Sequence, residues 1–453
     1  MLYVAFTLCY LAASGNRLKR PTPYNHFAYL AHSWLEGRLA LTLSPPNEND
    51  WAKVDVLTLR DGRTVKGMFS GRGNQDRFYP LSGPPLTIMP DEIVARTYIR
   101  YVSFPPFPAV LMLPWVAIAG VAANDVVFTV LWAGLNPALF FLLLGALRRR
   151  GYSERTPIED LWLTVAFGLG SVYFYSSVIG QVWYTAHVVA TTLVIGYVWS
   201  GLDARHPVLA GLCLGLGFAT RAPLGFAFAW FIWESVRVNG GWRSFGQFLW
   251  RKRRFPPGWF ATCLKAAIPA LAIVALLLLH NELRFERASE FGHKFLNITW
   301  QDRIQRFGLF NYHFLSRNLA TALTLLPRIL VKPPYVQVSQ HGMSLLVTSP
   351  FLILLLRPRR GSPLGPGLWL TVLGAAIPHL LYQNSGFVQF GYRFSLDYMV
   401  LLMVLIALGN RKLGFWFKAM VAFSIAVNLF GALTFDRSPS YSYTDTFFPH
   451  GLN

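Results

Sequence analysis

Apolar runs long enough, or nearly long enough, to cross a bilayer recur through this chain. They fall at about 1–15, 104–122, 126–147, 160–178, 183–201, 207–236, 260–280, 344–356, 366–383, 394–409 and 413–433. Inside hydrocarbon every backbone N–H and C=O needs an internal partner, which restricts runs of this length to helices. The predicted fold is therefore an all-α polytopic membrane protein with about eleven transmembrane helices. At 53% hydrophobic and 14% charged, the 453 residues do not read as two or three soluble domains.

The formal charge of +20 raises the question of a nucleic-acid partner. The basic residues argue against one, because they sit between apolar runs rather than along a continuous face. RRR at 148–150, RKRR at 251–254, RPRR at 357–360 and RK at 411–412 are short basic loops. Such loops mark a cytoplasmic face and contact anionic membrane lipid. Cys9, Cys213 and Cys263 lie in apolar runs without a CxxC and read as small buried hydrophobes. The opening MLYVAFTLCYLAASG lacks the basic start of a signal peptide and reads as a first membrane helix.

Two hydrophilic stretches interrupt the pattern, giving one integral membrane domain in four parts. These are a first external loop (16–103), a transmembrane core (104–280), a second external amphipathic loop (281–343) and C-terminal transmembrane helices (344–453). The first loop holds eight of the chain's 21 acids. Taking 207–236 as one bent crossing puts both loops outside but leaves RRR 148–150 outside too, against the positive-inside rule. Two crossings there, broken at Arg221 and Pro223, would correct the triplet and move the first loop inside. The single bent crossing is adopted, on the resemblance given below. YVSFPPFPAVLMLPW (101–115) is expected to open the second membrane helix, with Pro105, Pro106 and Pro108 where the first amides lack intrahelical partners.

Several pieces, in a fixed order, resemble the C-type glycosyltransferase superfamily (GT-C), and within it bacterial proteins similar to dolichyl-phosphate-mannose–protein mannosyltransferases. YNHFAYLAHSWLEGRLAL (24–41) is similar to the start of their first external loop, and YVSFPPFPAVLMLPW to a Pro-Pro helix entrance. VWYTAHVVATTLVIG (182–196), LAGLCLGLGFATRAPLGF (209–226) and FGYRFSLDYMVLL (390–402) follow in the family's order. The resemblance implies a GT-C-like bundle with two large external loops in a bacterial inner membrane. It implies sugar transfer from a polyprenyl-phosphate-linked donor to a glycan, lipid or protein acceptor. It also implies an early acid in the first loop. Where the relatives carry that acid this sequence holds Asn25 and His26, and about forty residues stand inserted between DVLTLRDGR (55–63) and the Pro-Pro entrance.

Such chemistry needs a base or orienting acid, cations for the departing phosphate, and a groove for the lipid. Asp55 and Asp61 are the first candidates for the acid, although Asp61-Gly62 also reads as a turn. His26 could act near neutral pH, or be a hydrogen-bonded interfacial histidine. For phosphate, Arg221 stands out as an intramembrane arginine at a helix break. Arg393 is a second candidate, with an intrahelical pair to Asp397 as its plainer explanation. Arg317 in the second loop is a third, beside His313 on what also reads as amphipathic surface. No metal-binding motif is present and no cofactor is expected, though phosphate oxygens can recruit a divalent cation. The rival readings are a lipid-linked sugar transporter or flippase, which would favour broken helices in matching halves, and a non-catalytic GT-C homologue.

Overall fold

The computed structural model describes residues 1–69, 77–242, 258–298, 300–359 and 361–444. The basic run at 251–254, Asp76 and Arg360 lie outside the described residues. Helices account for most of the described residues. Helices α1 (Leu2–Ser14) and α2 (His26–Leu35) precede strands β1 (Ala52–Leu59), β2 (Thr64–Phe69), β3 (Arg77–Pro80), β4 (Leu86–Thr87) and β5 (Ile93–Tyr101). Next come α3 (Phe107–Ala119), α4 (Asp125–Arg149), α5 (Pro157–Gly168), α6 (Tyr173–Ser177), α7 (Gln181–Gly201), α8 (Pro207–Phe218) and α9 (Ala229–Val238). The remainder holds α10 (Trp259–Phe285), α11 (Gln301–Phe307), α12 (Leu315–Leu323), α13 (Leu345–Thr348), α14 (Gly365–Leu381), α15 (Leu396–Leu408) and α16 (Phe415–Thr434). Among the described residues, four helical stretches are long and apolar enough to cross a membrane: Asp125–Arg149, Gln181–Ala204, Trp259–Phe285 and Phe415–Thr434.

Hydrogen bonds between helix ends sort the bundle into two poles. Helices α4 and α7 run parallel, since the Gln181 N–H donates to Asp125 at 2.9 Å at one end and Arg150 reaches Asp203 at 3.1 Å at the other. At that second pole Arg155 donates to the carbonyls of Ile406 and Ala407, and the Arg359 N–H to that of Gly409. The basic clusters 148–150, 357–359 and 411–412 thus gather at one end. Both hydrophilic loops gather at the other, where Ala52 bridges Leu296 and Arg284 donates to the Val102 carbonyl at 2.6 Å.

The expected single bent crossing over 207–236 is overturned. Helix α8 leaves the basic end, the chain turns at Arg221, and α9 returns. At its end Arg237 binds Asp203, and the Asp203 N–H donates to Glu234 at 2.8 Å. The turn follows from the sequence: Arg221 takes an extended backbone, and Pro223 cannot continue α8. Close packing keeps the hairpin against α10, because a Cβ at Gly211 would collide with the Ala266 carbonyl. Helix α3, which starts at the proline-rich entrance, also differs from expectation. Its Phe107 N–H donates to the Ala219 carbonyl at the far end of α8, and the segment just past its end returns to Asn25, which binds the Ala123 carbonyl. Both ends therefore stay in the loop-side part of the bundle. There α2 and α3 pack through Phe27, Leu30, Met112 and Val116 onto the tops of α4 and α7.

The all-α expectation holds for the bundle and fails for the first loop. Strands from 52–69 and 77–101 build an antiparallel sheet of order β4-β3-β2-β1-β5. The segment read as an insertion supplies most of it: Val54, Leu57 and Phe78 are buried, while Arg96 and Tyr98 on β5 are exposed. The sheet is tied to the second loop around Trp51, whose carbonyl accepts from the Asn297 N–H at 3.1 Å.

Candidate active site

Asp397, at the start of α15, is buried at the loop-side end of the bundle. Its carboxylate accepts from Arg221 Nε at 2.6 Å and lies 2.7 Å from His379 Nε2 on α14. His187 Nδ1 on α7 stands 3.3 Å away without hydrogen-bond geometry. The break after α8 is what allows this, since it carries Arg221 sideways out of a helical ladder. A buried carboxylate survives only with such partners.

The intrahelical Arg393–Asp397 pair does not form. Residues Arg393–Ser395 make a single 3₁₀ turn ahead of α15, so the two side chains do not meet on successive α-helical turns. Arg393 is 5% exposed and its Nε has no hydrogen-bond partner. Its guanidinium lies among the rings of Tyr184 (5.1 Å), Phe394 (5.6 Å) and Trp183 (5.9 Å). No carboxylate among the described residues comes within 4.0 Å of it.

Asp50, from the first loop, lies within electrostatic reach of Arg393. Asp50 is half-buried, with a left-handed backbone (φ 62°) that Asp tolerates better than most residues. Its N–H points to the Asn297 carbonyl at 3.4 Å, so both loops fix its place. Burial lifts the Asp50 carboxyl to about 6, while the positive charge of Arg393 and the Trp183 indole N–H pull it back. Tyr382 also lies within electrostatic reach of Asp50, Arg221 and Arg393. Sequence reasoning passed over Asp50, which belongs to no motif. Its one signal is Trp51 beside it, a fully buried tryptophan in a polar loop.

The sequence-derived candidates divide. Arg221 and Arg393 meet here. Arg317 lies close by: its Nη2 donates to the Gln383 carbonyl at 2.8 Å, and Arg303 donates to the same oxygen at 3.0 Å. Burial, and then the Arg303 charge, push the Arg317 guanidinium down to about 10. Together with Trp300, His341 and Ser385 these two arginines line a small recess. His26 is buried, stacked on Trp51 at 3.7 Å and bound to the Tyr24 carbonyl at 3.0 Å. Burial lowers it to about 4, so it is neutral at physiological pH and supports the loop beneath Asp50. Asp55 makes two 3.0 Å bonds to Arg96 across the β1–β5 pair. Asp61 sits at the exposed β1–β2 turn, bound to Arg63, with Gly62 at φ 85°. The structure brings neither to the arginines. Among the described residues no group of three His, Cys, Asp or Glu side chains could hold a metal ion.

Fold and site together define a helical membrane protein with a sheet-bearing loop closing over a buried ionic cluster. No protein-family model matches the chain, and no curated protein matches it. Among solved structures it is similar to ArnT from Cupriavidus metallidurans bound to undecaprenyl phosphate. That match has TM-score 0.44 and 12% identity, over 93% of this chain and 63% of that one. It is also similar to the Archaeoglobus fulgidus oligosaccharyltransferase in the apo form, with TM-score 0.40 and 11% identity, over 95% of this chain and 56% of that one. The chain spans less than two thirds of either, and residue roles here rest on this site alone.

Proposed function

We propose that this chain is a membrane glycosyltransferase moving a sugar from a polyprenyl-phosphate-linked donor to an acceptor hydroxyl, at the external face of a bacterial inner membrane. The observation that carries the reading is Asp50 beside the Arg393 charge: an acid from the first loop, lifted to about 6, within electrostatic reach of a buried arginine with no carboxylate partner. An acid of that strength is ionised near neutral pH yet basic enough to accept a proton. In the proposed step the acceptor oxygen attacks the anomeric carbon with inversion and gives its proton to Asp50. The bond from that carbon to the phosphate oxygen breaks, and polyprenyl phosphate leaves with one more negative charge. Arg393 and Arg317 stabilise that charge, and Arg221 shapes the wall through Asp397.

The two poles support an orientation. The basic clusters at one end fit the cytoplasm, which puts the loops and Asp50 outside. With 207–238 as a hairpin and α3 lying along the loop side, the chain crosses eleven times and RRR 148–150 falls inside. The test is purified protein with labelled polyprenyl-phosphate sugars and envelope-extract acceptors. Release of polyprenyl phosphate with label in the acceptor is expected; inertness toward every donor would contradict the reading.

A further inference from the structure

At the basic end, far from Asp50, a cavity of about 480 Å³ is lined by Ala146, Arg149, Arg150, Trp199, Arg205 and His206. Only one of its three arginines is answered by protein. Arg150 pairs with Asp203 at 3.1 Å, and Asp203 is itself held by Tyr152 and Arg237. Arg149 and Arg205 make no ion pair among the described residues. The cavity therefore keeps two uncompensated positive charges over a fixed floor.

Its apolar border says which anion fits. Leu142, Ala146 and Arg149 share one face of α4, spaced four and three residues apart. On α8, Val208, Leu209 and Leu212 are exposed just beyond Arg205 and His206. These exposed side chains belong to helices read as membrane-embedded, so they face acyl chains. Trp199 at the rim suits the interface. A basic pocket with exposed apolar side chains on the two helices that border it matches a charged headgroup with its tail alongside.

We propose that this cavity seats the phosphate of an anionic membrane phospholipid, with Arg149 and Arg205 as the phosphate ligands and Arg150 held in position by Asp203. The cavity is separate from the Asp50 site and does not depend on the catalytic reading. The same chemistry would suit a free phosphate, so the experiment separates the two.

Full-length protein in neutral detergent is titrated with short-chain phosphatidylglycerol, short-chain phosphatidylcholine and inorganic phosphate, with lipid adducts read by native mass spectrometry. Phosphatidylglycerol is expected to bind, and the Arg149→Gln, Arg205→Gln double variant to weaken it roughly ten-fold or more. An Arg411→Gln, Lys412→Gln control, removing two exposed charges at the same end, should leave binding unchanged. Arg205→Gln alone lies between helices and gives the same reading should the double variant misfold. Equal weakening in the control, or no weakening in either cavity variant, overturns the proposal. Phosphatidylcholine or inorganic phosphate binding as well as phosphatidylglycerol overturns it too.

Discussion

Arg221 donates its Nε to Asp397 at 2.6 Å, joining the turn after α8 to the start of α15. That pair gives Asp397 its cation, while the 3₁₀ turn at Arg393–Ser395 keeps Arg393, four residues upstream, off the same carboxylate. Arg393 is left with Asp50 of the first loop within electrostatic reach, and the electrostatics of the site follow from this arrangement.

Removing Arg221 exposes the dependence. Arg221→Gln leaves Asp397 buried beside two histidines without a cation, a loss of about 3–5 kcal/mol by analogy with broken buried pairs. Arg221→Lys keeps the charge but not the planar donor and should recover part of it. Thermal melts of the two variants in one detergent check the order; Arg221→Gln as stable as wild type would contradict it.

The pH dependence has a defined sign. With the Asp50 carboxyl lifted to about 6, kcat/KM should rise with pH through an acid limb near that value. The Arg393 charge lowers Asp50, so Arg393→Gln should move the limb to higher pH as well as reduce the rate. Stability runs the other way. A raised carboxylate disfavours the fold once ionised, so the penalty is absent below about pH 4 and present above about 6. Asp50→Asn should therefore raise the melting temperature at pH 8 and not at pH 4, a gain in stability bought with function.

Packing of α8 against α10 is tested at Gly211. A Cβ there meets backbone, the Ala266 carbonyl, which cannot swing aside like a side chain. Gly211→Ala should cost about 1–3 kcal/mol as the helices separate. Gly151→Ala, in open space but at φ 73°, isolates backbone strain from contact. Melting temperatures of both variants separate the two effects.

Arg317 and Arg303 share the Gln383 carbonyl, and their mutual repulsion marks a place that gains from an anion. Arg317→Gln should raise the KM for a polyprenyl-phosphate donor by roughly ten-fold and flatten the salt dependence of KM. An unchanged KM would remove Arg317 from the donor site.

Much of the bundle was legible because lipid leaves so few options: the apolar runs mark helices wherever they exceed about fifteen residues. What periodicity could not settle was direction. Residues 207–236 carry enough apolar length for one crossing, and only the contacts of Arg237 and Glu234 with Asp203 reveal the return. The helix at 107–119 is as apolar as a membrane span, yet its partners at both ends lie on the loop side. The sheet was hidden because a strand such as β5 is exposed along most of its length and reads as merely polar. At the site, Arg221 and Arg393 were visible because a charge amid apolar residues stands out. Asp50 was not, since an acid in the polar NEND stretch carries no local sign of burial. Asp55 and Asp61 drew attention from the segment around them, but Arg96 and Arg63 already occupy them.

The most direct test compares Asp50→Asn with the Asp55→Asn, Asp61→Asn double variant, by initial rates of sugar transfer from a labelled polyprenyl-phosphate donor at pH 7.5. The account predicts a fall of about 10²–10⁴-fold for Asp50→Asn and near wild-type turnover for the double variant. Full activity in Asp50→Asn, or loss confined to the double variant, would contradict it.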